Sequence, residues 1–388
     1  MKKMIKLITV LMVIGLILTG CSSSDGNTDE ATIKVGVNME LSGDVASYGQ
    51  AELNGIKLAI AQVNTAGGVL GKQIELVEID NTSSASEATS ATTRLVTQDE
   101  VVAILGPATS GAFKASLPVS EEYGVAIISP SATETDVMIN ETTGVAFTTG
   151  FRTCFIDSFQ GVTMANFAFD NLALSKAVVF GDSSSDYGQG LADSFIEQFE
   201  ANGGVIVAHE NFTKGDTDFN AVLTKISGLE YDFIFVPGYY NEAGLLIKQA
   251  REMGITAPIL GADGFESPDL ISLAKAENIV DVFYSTHYLS VGDDQLVTDF
   301  VTAFKAEYDV EPNTFSALAY DAARLLVDAI ERAGEADATK IIEALANTDG
   351  FVGVAGNISV DDNHDAVKSI YVVELSGDKA ISSTKVNP

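Results

Sequence analysis

The chain has 388 residues, 46% of them apolar and 20% charged, which is the composition of a folded globular protein and too much length for one ordinary core. Its formal charge of −32, near −35 without the three lysines of its first six residues, argues against nucleic acid as a partner, because such a surface repels phosphate. With only two cysteines, Cys21 and Cys154, and one of them claimed below by a different chemistry, no intramolecular disulfide is expected.

The first element is a leader. Lys2, Lys3 and Lys6 precede an almost wholly apolar run from Leu7 to Leu18, followed by Leu18-Thr19-Gly20-Cys21 and then Ser22-Ser23-Ser24-Asp25-Gly26-Asn27. A basic head, a short apolar stretch and a small-residue cleavage site make a secretory signal peptide, and the run is short for a membrane span, which needs roughly 20 apolar residues. Leu-x-Gly-Cys resembles a bacterial lipobox. That resemblance implies residues 1–20 as a lipoprotein signal peptide, Cys21 as the diacylated mature N-terminus, and 21–31 as a polar tether on the outer face of the bacterial cytoplasmic membrane. Cys154, flanked by bulky apolar groups in Phe151-Arg152-Thr153-Cys154-Phe155, reads as a small buried hydrophobe.

After the tether, short β-branched runs alternate with amphipathic stretches. Strands are expected at 33–37, 73–79, 101–105 and 125–128, with helices at 49–66, 86–98 and 111–123. The alternation restarts with strands at 177–180, 205–208, 233–236 and 259–260 and helices at 188–202, 219–227 and 242–253. This predicts two parallel α/β sheets, each with helices on both faces. Three further helices, 293–308, 316–333 and 338–347, have no sheet of their own and must pack on one half by the chain crossing back. A closing hairpin is expected between 357–360 and 369–375, turning at Asp361–Asp365.

Catalytic patterns are weak. His209, His287 and His364 have no metal-ligand spacing, and no G-x-S-x-G elbow is present. Gly68-Val69-Leu70-Gly71-Lys72-Gln73 lacks the glycine spacing of a P-loop and carries Gln73 where a hydroxyl would hold Mg²⁺, so it reads as a helix-to-strand turn. Asp361-Asp362-Asn363-His364-Asp365 lacks the Gly and Glu of a calcium loop. No enzyme, cofactor or metal is expected. What the chain does offer is hydroxyl-rich loops after its strands, where open α/β sheets bind ligands. In the first half these are Leu41-Ser42-Gly43 with Tyr48-Gly49, Gly106 to Gly111, and Ser129 to Thr133. In the second they are Asp186-Tyr187-Gly188, Gly238-Tyr239-Tyr240 and Gly261-Ala262-Asp263-Gly264. One half presents groups suited to an anion, including a helix start, and the other presents aromatics and a carboxylate. A zwitterion would fit between them.

These loops also carry a resemblance. With Asn64-Thr65-Ala66-Gly67-Gly68, Phe151-Arg152-Thr153…Asp157…Gln160-Gly161, Gly215-Asp216-Thr217-Asp218-Phe219 and Ala319-Tyr320-Asp321-Ala322, in that order and spacing, they resemble the leucine/isoleucine/valine-binding protein family of ABC importers. The resemblance implies a two-lobed type I periplasmic-binding-protein fold, each lobe a parallel sheet sandwiched by helices, with three hinge crossings near Gly150, His287 and Asn357. The N-terminal lobe would be 32–150 plus 287–356, and the C-terminal lobe 151–286 plus 357–388. It implies Ser110 and the backbone near Ser131 and Thr133 as the α-carboxylate site. Thr133 would also serve the ammonium, and Asp263 would be its acidic partner. Tyr48, Tyr187, Tyr239 and Phe315 would form the side-chain pocket. Ser131 stands where relatives often have Ala, and Asp263 where well-known members have the longer Glu. The function implied is capture of a small aliphatic amino acid by a monomer that delivers it to membrane permease subunits. A lipid-anchored sensor and a small-amide or urea binder of the same fold remain open alternatives.

Overall fold

The computed structural model describes residues 32–291 and 294–387. The leader, Cys21 and the tether lie outside the described residues, as does Asp293 at the head of an expected helix.

From Ile33 onward the chain is one unit built on two large sheets. The first half runs β1 (Ile33–Met39), α1 (Ala46–Thr65), β2 (Ile74–Asp80), α2 (Ala85–Thr97), β3 (Ala103–Leu105), α3 (Ser110–Tyr123), β4 (Ala126–Ser129) and β5 (Gly150–Arg152). Its strands lie in the order β2-β1-β3-β4-β5, all parallel. The inner strands are buried on both faces, so they read as unbroken apolar runs: Ala103 and Leu105 join one core cluster, and Ile104 points into another with Leu95, Phe113 and Leu117.

The second half runs α4 (Asp157–Asn166), β6 (Lys176–Asp182), α5 (Asp186–Ala201), β7 (Val205–Phe212), α6 (Asn220–Ile226), β8 (Phe233–Phe235), α7 (Tyr240–Glu252), β9 (Ile259–Leu260), α8 (Pro268–Ala274) and β10 (Val282–Thr286). Three helices follow, α9 (Gln295–Tyr308), α10 (Thr314–Ala333) and α11 (Ala338–Ala346). The chain closes with β11 (Phe351–Gly353), β12 (Gly356–Val360), β13 (Ala366–Val367), β14 (Ile370–Ser376) and β15 (Lys379–Val386). The second sheet has the order β15-β14-β10-β9-β8-β6-β7, with β14 and β15 antiparallel and the rest parallel. Its two faces separate in the same way, Ile234 on one side and Phe233 with Phe235 on the other.

The chain thus passes between the sheets three times: after Arg152, after Thr286, and on the way to Ile370. The helices after residue 290 do return to the first half, where α10 packs along α1 and against β3 and β4. The expected closing hairpin is corrected. Residues 356–360 pair with β11 and, briefly, with β13, while β14 leaves them to pair with β10 and β15. The turn at Asp361–Asp365 is where it was expected, closed by Asp361 N–H to the Asp365 carbonyl and by Asp361 Oδ1 accepting from Asn363 and Asp365 N–H. Strands β5, β10, β11, β13 and β15 and helices α4 and α8 are not among the elements expected from the sequence.

Candidate functional site

The loops singled out in the sequence converge where the carboxyl ends of the two sheets face each other. Tyr48 lies in the first turn of α1, Ser110 opens α3, Ser131 and Thr133 follow β4, Tyr187 lies in the first turn of α5, Tyr239 caps α7, Asp263 follows β9, and Phe315 lies in the first turn of α10. Seven of these eight border one narrow cavity with only about 10 Å³ of free space: Tyr48, Ser110, Ser131, Tyr187, Tyr239, Asp263 and Phe315, joined by Ala108, Thr109 and Gly264. Thr133 is buried but is not part of this lining. A larger surface hollow of about 340 Å³, bordered by Gln62, Tyr320, Arg324 and Val352, lies along helix flanks rather than at the facing strand ends.

One end of the cavity is built from hydroxyls and a helix start. Glu40 accepts from the N–H groups of Ala108 (3.0 Å) and Thr109 (3.1 Å) and from the Thr109 hydroxyl (2.7 Å), which ties the loop before α3 to the end of β1. No side chain caps α3 from Thr109, so its first-turn N–H groups have no intrahelical acceptor where Ser110 meets the cavity. Ser110 Oγ accepts from Glu134 N–H at 3.1 Å, leaving its own proton to donate elsewhere. The Ser131 hydroxyl contacts Glu52 Oε1 at 2.5 Å and the Ala108 carbonyl at 2.9 Å, so it is already engaged by protein. Burial pushes the Glu52 carboxyl well above its usual range.

The opposite end holds Asp263. Its Oδ1 accepts from the Tyr187 hydroxyl at 2.8 Å, and its Oδ2 lies 3.2 Å from His287 Nε2. Its N–H donates to Gln160 Oε1 (3.1 Å), which also accepts from Ser285 Oγ (2.7 Å). Asp157 stands nearby, its carboxyl driven well up by burial and then by the charge of Asp263. The Thr133 hydroxyl faces Asp157, although neither Thr133 Oγ1 nor Asp157 Oδ2 makes a regular hydrogen bond. Gly264 has no room for a side chain: a Cβ there would lie 2.7 Å from the Gly238 carbonyl and 3.0 Å from the Tyr187 hydroxyl.

The walls are aromatic. Tyr187 and Tyr239 stack with centroids 4.9 Å apart, while Tyr48 meets Phe315 at 4.3 Å and Tyr239 edge-on at 5.8 Å. Burial raises the phenols of Tyr48, Tyr187 and Tyr239, so they stay neutral. The two halves touch around this cavity. Tyr48 Oη donates to the Gly264 carbonyl (2.5 Å) and accepts from Tyr240 N–H (3.3 Å). Ser47 meets Ser267 at 2.9 Å, and Lys214 reaches Asp44 (3.2 Å) and the Ser83 carbonyl (3.0 Å). The geometry is that of a closed cleft around a small, partly polar space.

Cys154 is buried, with its Sγ 3.4 Å from the Ala132 carbonyl, and burial pushes its thiol far up, which suits the packing role expected of it. The sequence gives no role to Glu40, Glu52, Thr109, Asp157 or Gln160, and marks His287 only as a hinge crossing. Thr109, Asp157 and Gln160 sat inside motifs already singled out. The partner of His287 is a carboxylate 24 residues away in sequence, which no local pattern signals. Among the described residues no group of three or more His, Cys, Asp or Glu could hold a metal, and no helix is long and apolar enough to cross a membrane.

Known proteins match this architecture over nearly its whole length. The family model for periplasmic binding proteins matches residues 32–380. A leucine-, isoleucine-, valine-, threonine- and alanine-binding protein of Pseudomonas aeruginosa is 31% identical over 335 residues, covering 86% of this chain and 87% of its own. Among solved structures, the branched-chain amino acid transporter substrate-binding protein LivJ of Streptococcus pneumoniae, in complex with isoleucine, is 43% identical with a TM-score of 0.87, covering 92% of this chain and all of its own. The leucine-binding protein LivK of Thermotoga maritima is 36% identical with a TM-score of 0.86, covering 92% and 99%. The two-sheet topology, the closed cleft at the strand ends and these matches together place the chain in the periplasmic binding protein family.

Proposed function

We propose that this chain is the substrate-binding component of an ABC importer and that its cargo is a branched-chain or other small aliphatic amino acid. The observation that carries the reading is one cavity with Ser110 and a helix start at one end, Asp263 at the other, and tyrosines and Phe315 between. The relatives bind amino acids of this class by name. In this reading Ser110 and the backbone near Ser131 take the α-carboxylate, and Asp263 takes the α-ammonium. The tyrosines and Phe315 enclose the aliphatic side chain. Binding draws the lobes 32–150 plus 287–356 and 151–286 plus 357–388 together about the three crossings, and the closed surface engages permease subunits. No bond of the ligand is made or broken. The monomer is held at the outer face of the cytoplasmic membrane by lipid on Cys21.

Calorimetry on protein unfolded and refolded to strip carried-over ligand tests the cleft. Leucine, isoleucine or valine should bind, and Asp263→Asn, which keeps size and removes charge, should lose at least about tenfold in affinity. A loss below about threefold would mean that Asp263 does not meet an ammonium. The anchor is tested separately. Cys21→Ser should move the protein from the membrane fraction to the soluble one, since two acyl chains on one residue suffice for stable anchoring. Equal membrane retention of both forms would refute it.

A further inference from the structure

Of the three histidines, His209 is exposed and His364 half-buried, whereas His287 is sealed from solvent. It follows β10, where the chain leaves the second sheet. Its ring lies flat on Phe155, centroids 3.5 Å apart and planes within 18°, and Phe155 belongs to the segment by which the chain leaves the first sheet. Its backbone N–H donates to Thr314 Oγ1 (3.3 Å) at the start of α10. Its Nε2 lies 3.2 Å from Asp263 Oδ2, and its Nδ1 has no partner among the described residues. A carboxylate only accepts, and nothing fixes a proton on Nδ1, so the proton sits on Nε2 and is donated to Asp263. Burial depresses the imidazole to about 4, in keeping with a neutral ring.

We propose that His287 is a positioning residue for recognition of the ligand's amine. Asp263 is a short side chain with two rotatable bonds. It is clamped from α5 by Tyr187 Oη on Oδ1 and from the hinge segment by His287 Nε2 on Oδ2. Two donors from different elements fix the carboxylate plane and leave its remaining lone pairs for the cavity, so the cost of ordering it is met before ligand arrives. Because the same ring belongs to one inter-sheet crossing and stacks on Phe155 of another, the amine partner is held in register with the hinge.

This inference rests on the amino-acid reading of the cleft, and the experiment separates the two. Affinities for leucine and for 4-methylpentanoate, the same skeleton without the amine, are compared in wild type, His287→Phe and His287→Gln. Phenylalanine keeps the stack on Phe155 and removes the N–H, and glutamine restores a donor. The expected result is a loss of about tenfold or more for leucine in His287→Phe, a change of less than about twofold for 4-methylpentanoate, and recovery to within about threefold in His287→Gln. Equal weakening of both ligands would assign His287 a structural role only, and an unchanged leucine affinity would remove it from recognition; either overturns the proposal. Wild type that binds no amino acid would overturn both this inference and the functional reading. The wild-type protein provides a check independent of how the variants fold: nitrogen NMR of labelled histidine should show the Nε2–H tautomer at His287, and an Nδ1–H tautomer would refute the clamp.

Discussion

Asp263 and Glu266 sit three residues apart on the same loop and are held in opposite ways. Asp263 faces the cavity with two side-chain donors. Glu266 turns toward the hinge, where Oε2 accepts from the Thr286 hydroxyl (2.5 Å) and Oε1 from Thr314 N–H (2.7 Å). Burial outweighs those donors and lifts the Glu266 carboxyl from 4.5 to about 7. A raised acid binds its proton more tightly in the folded state. Its stabilising contribution is therefore complete below about 4.5 and is lost as pH rises through about 7. Comparing wild type with Glu266→Gln isolates this group: melting temperatures at a series of pH values should show the advantage of wild type shrinking between about 4.5 and 7. A difference that stays flat across that window would mean Glu266 is charged throughout. The candidate ligand groups were legible at this scale because Ser110, Asp263 and the tyrosines fall in loops directly after strands. Glu52, Asp157 and His287 were not, because a lone acid or histidine in a sequence does not show whether it is buried or what it meets.

Helices α1 and α10 show why element-level reading succeeds and where it stops. Both have long apolar stripes, but the distance between them is set by Gly55, where a Cβ would fall 2.2 Å from the Ser316 carbonyl oxygen. On propensity alone, Gly55→Ala should stabilise α1 by about 1 kcal/mol. Overpacking against a backbone atom typically costs about 1–3 kcal/mol or more, and carbonyl oxygen cannot swing aside as a flexible side chain can. Gly55→Ala should therefore be net destabilising by about 1–2 kcal/mol, read as a lower urea midpoint at unchanged slope. An equal or higher midpoint would show that the helices can part at little cost. The missed strand β10 has a related cause. Every residue from Val282 to Thr286 is buried, so the run lacks the alternation that marks a half-exposed strand. The hairpin was misassigned because sequence adjacency favoured pairing β12 with β14, whereas β14 gains more by covering the open edge of the second sheet beside β10.

At the scale of the whole molecule, the two halves are joined by a hub at Arg152. Its side chain is sealed from solvent, pairs with Asp365 from the last crossing (Nε to Oδ1, 2.6 Å) and donates to the carbonyls of Ala132, Glu134 and Thr135 at 2.7–3.2 Å. The guanidinium thus fastens the loop after β4, which carries Ser131 and Thr133, to the chain's return into the second sheet. Breaking a buried pair by removing one partner typically costs about 3–5 kcal/mol, because it leaves the other charge uncompensated. Asp365→Asn should cost about 3 kcal/mol in denaturant unfolding. A cost below about 1 kcal/mol would mean that the three carbonyls alone satisfy Arg152.

The sequence by itself determined the class of the fold, the order of its main strands and helices, and the loops at which a ligand would be met. These follow from local periodicity and from the rule that parallel sheets bind at their carboxyl ends. It also showed, through motif order, the family to which the chain belongs. Only the tertiary structure decided which acids burial drives up, that Asp263 is held by Tyr187 and His287, that Glu52 meets Ser131, and that Arg152 meets Asp365 across 213 residues. The physical reason is common to all four. Desolvation and hydrogen-bond partnership are properties of a place in space, and here each is made by segments far apart in the chain that meet only in the folded protein.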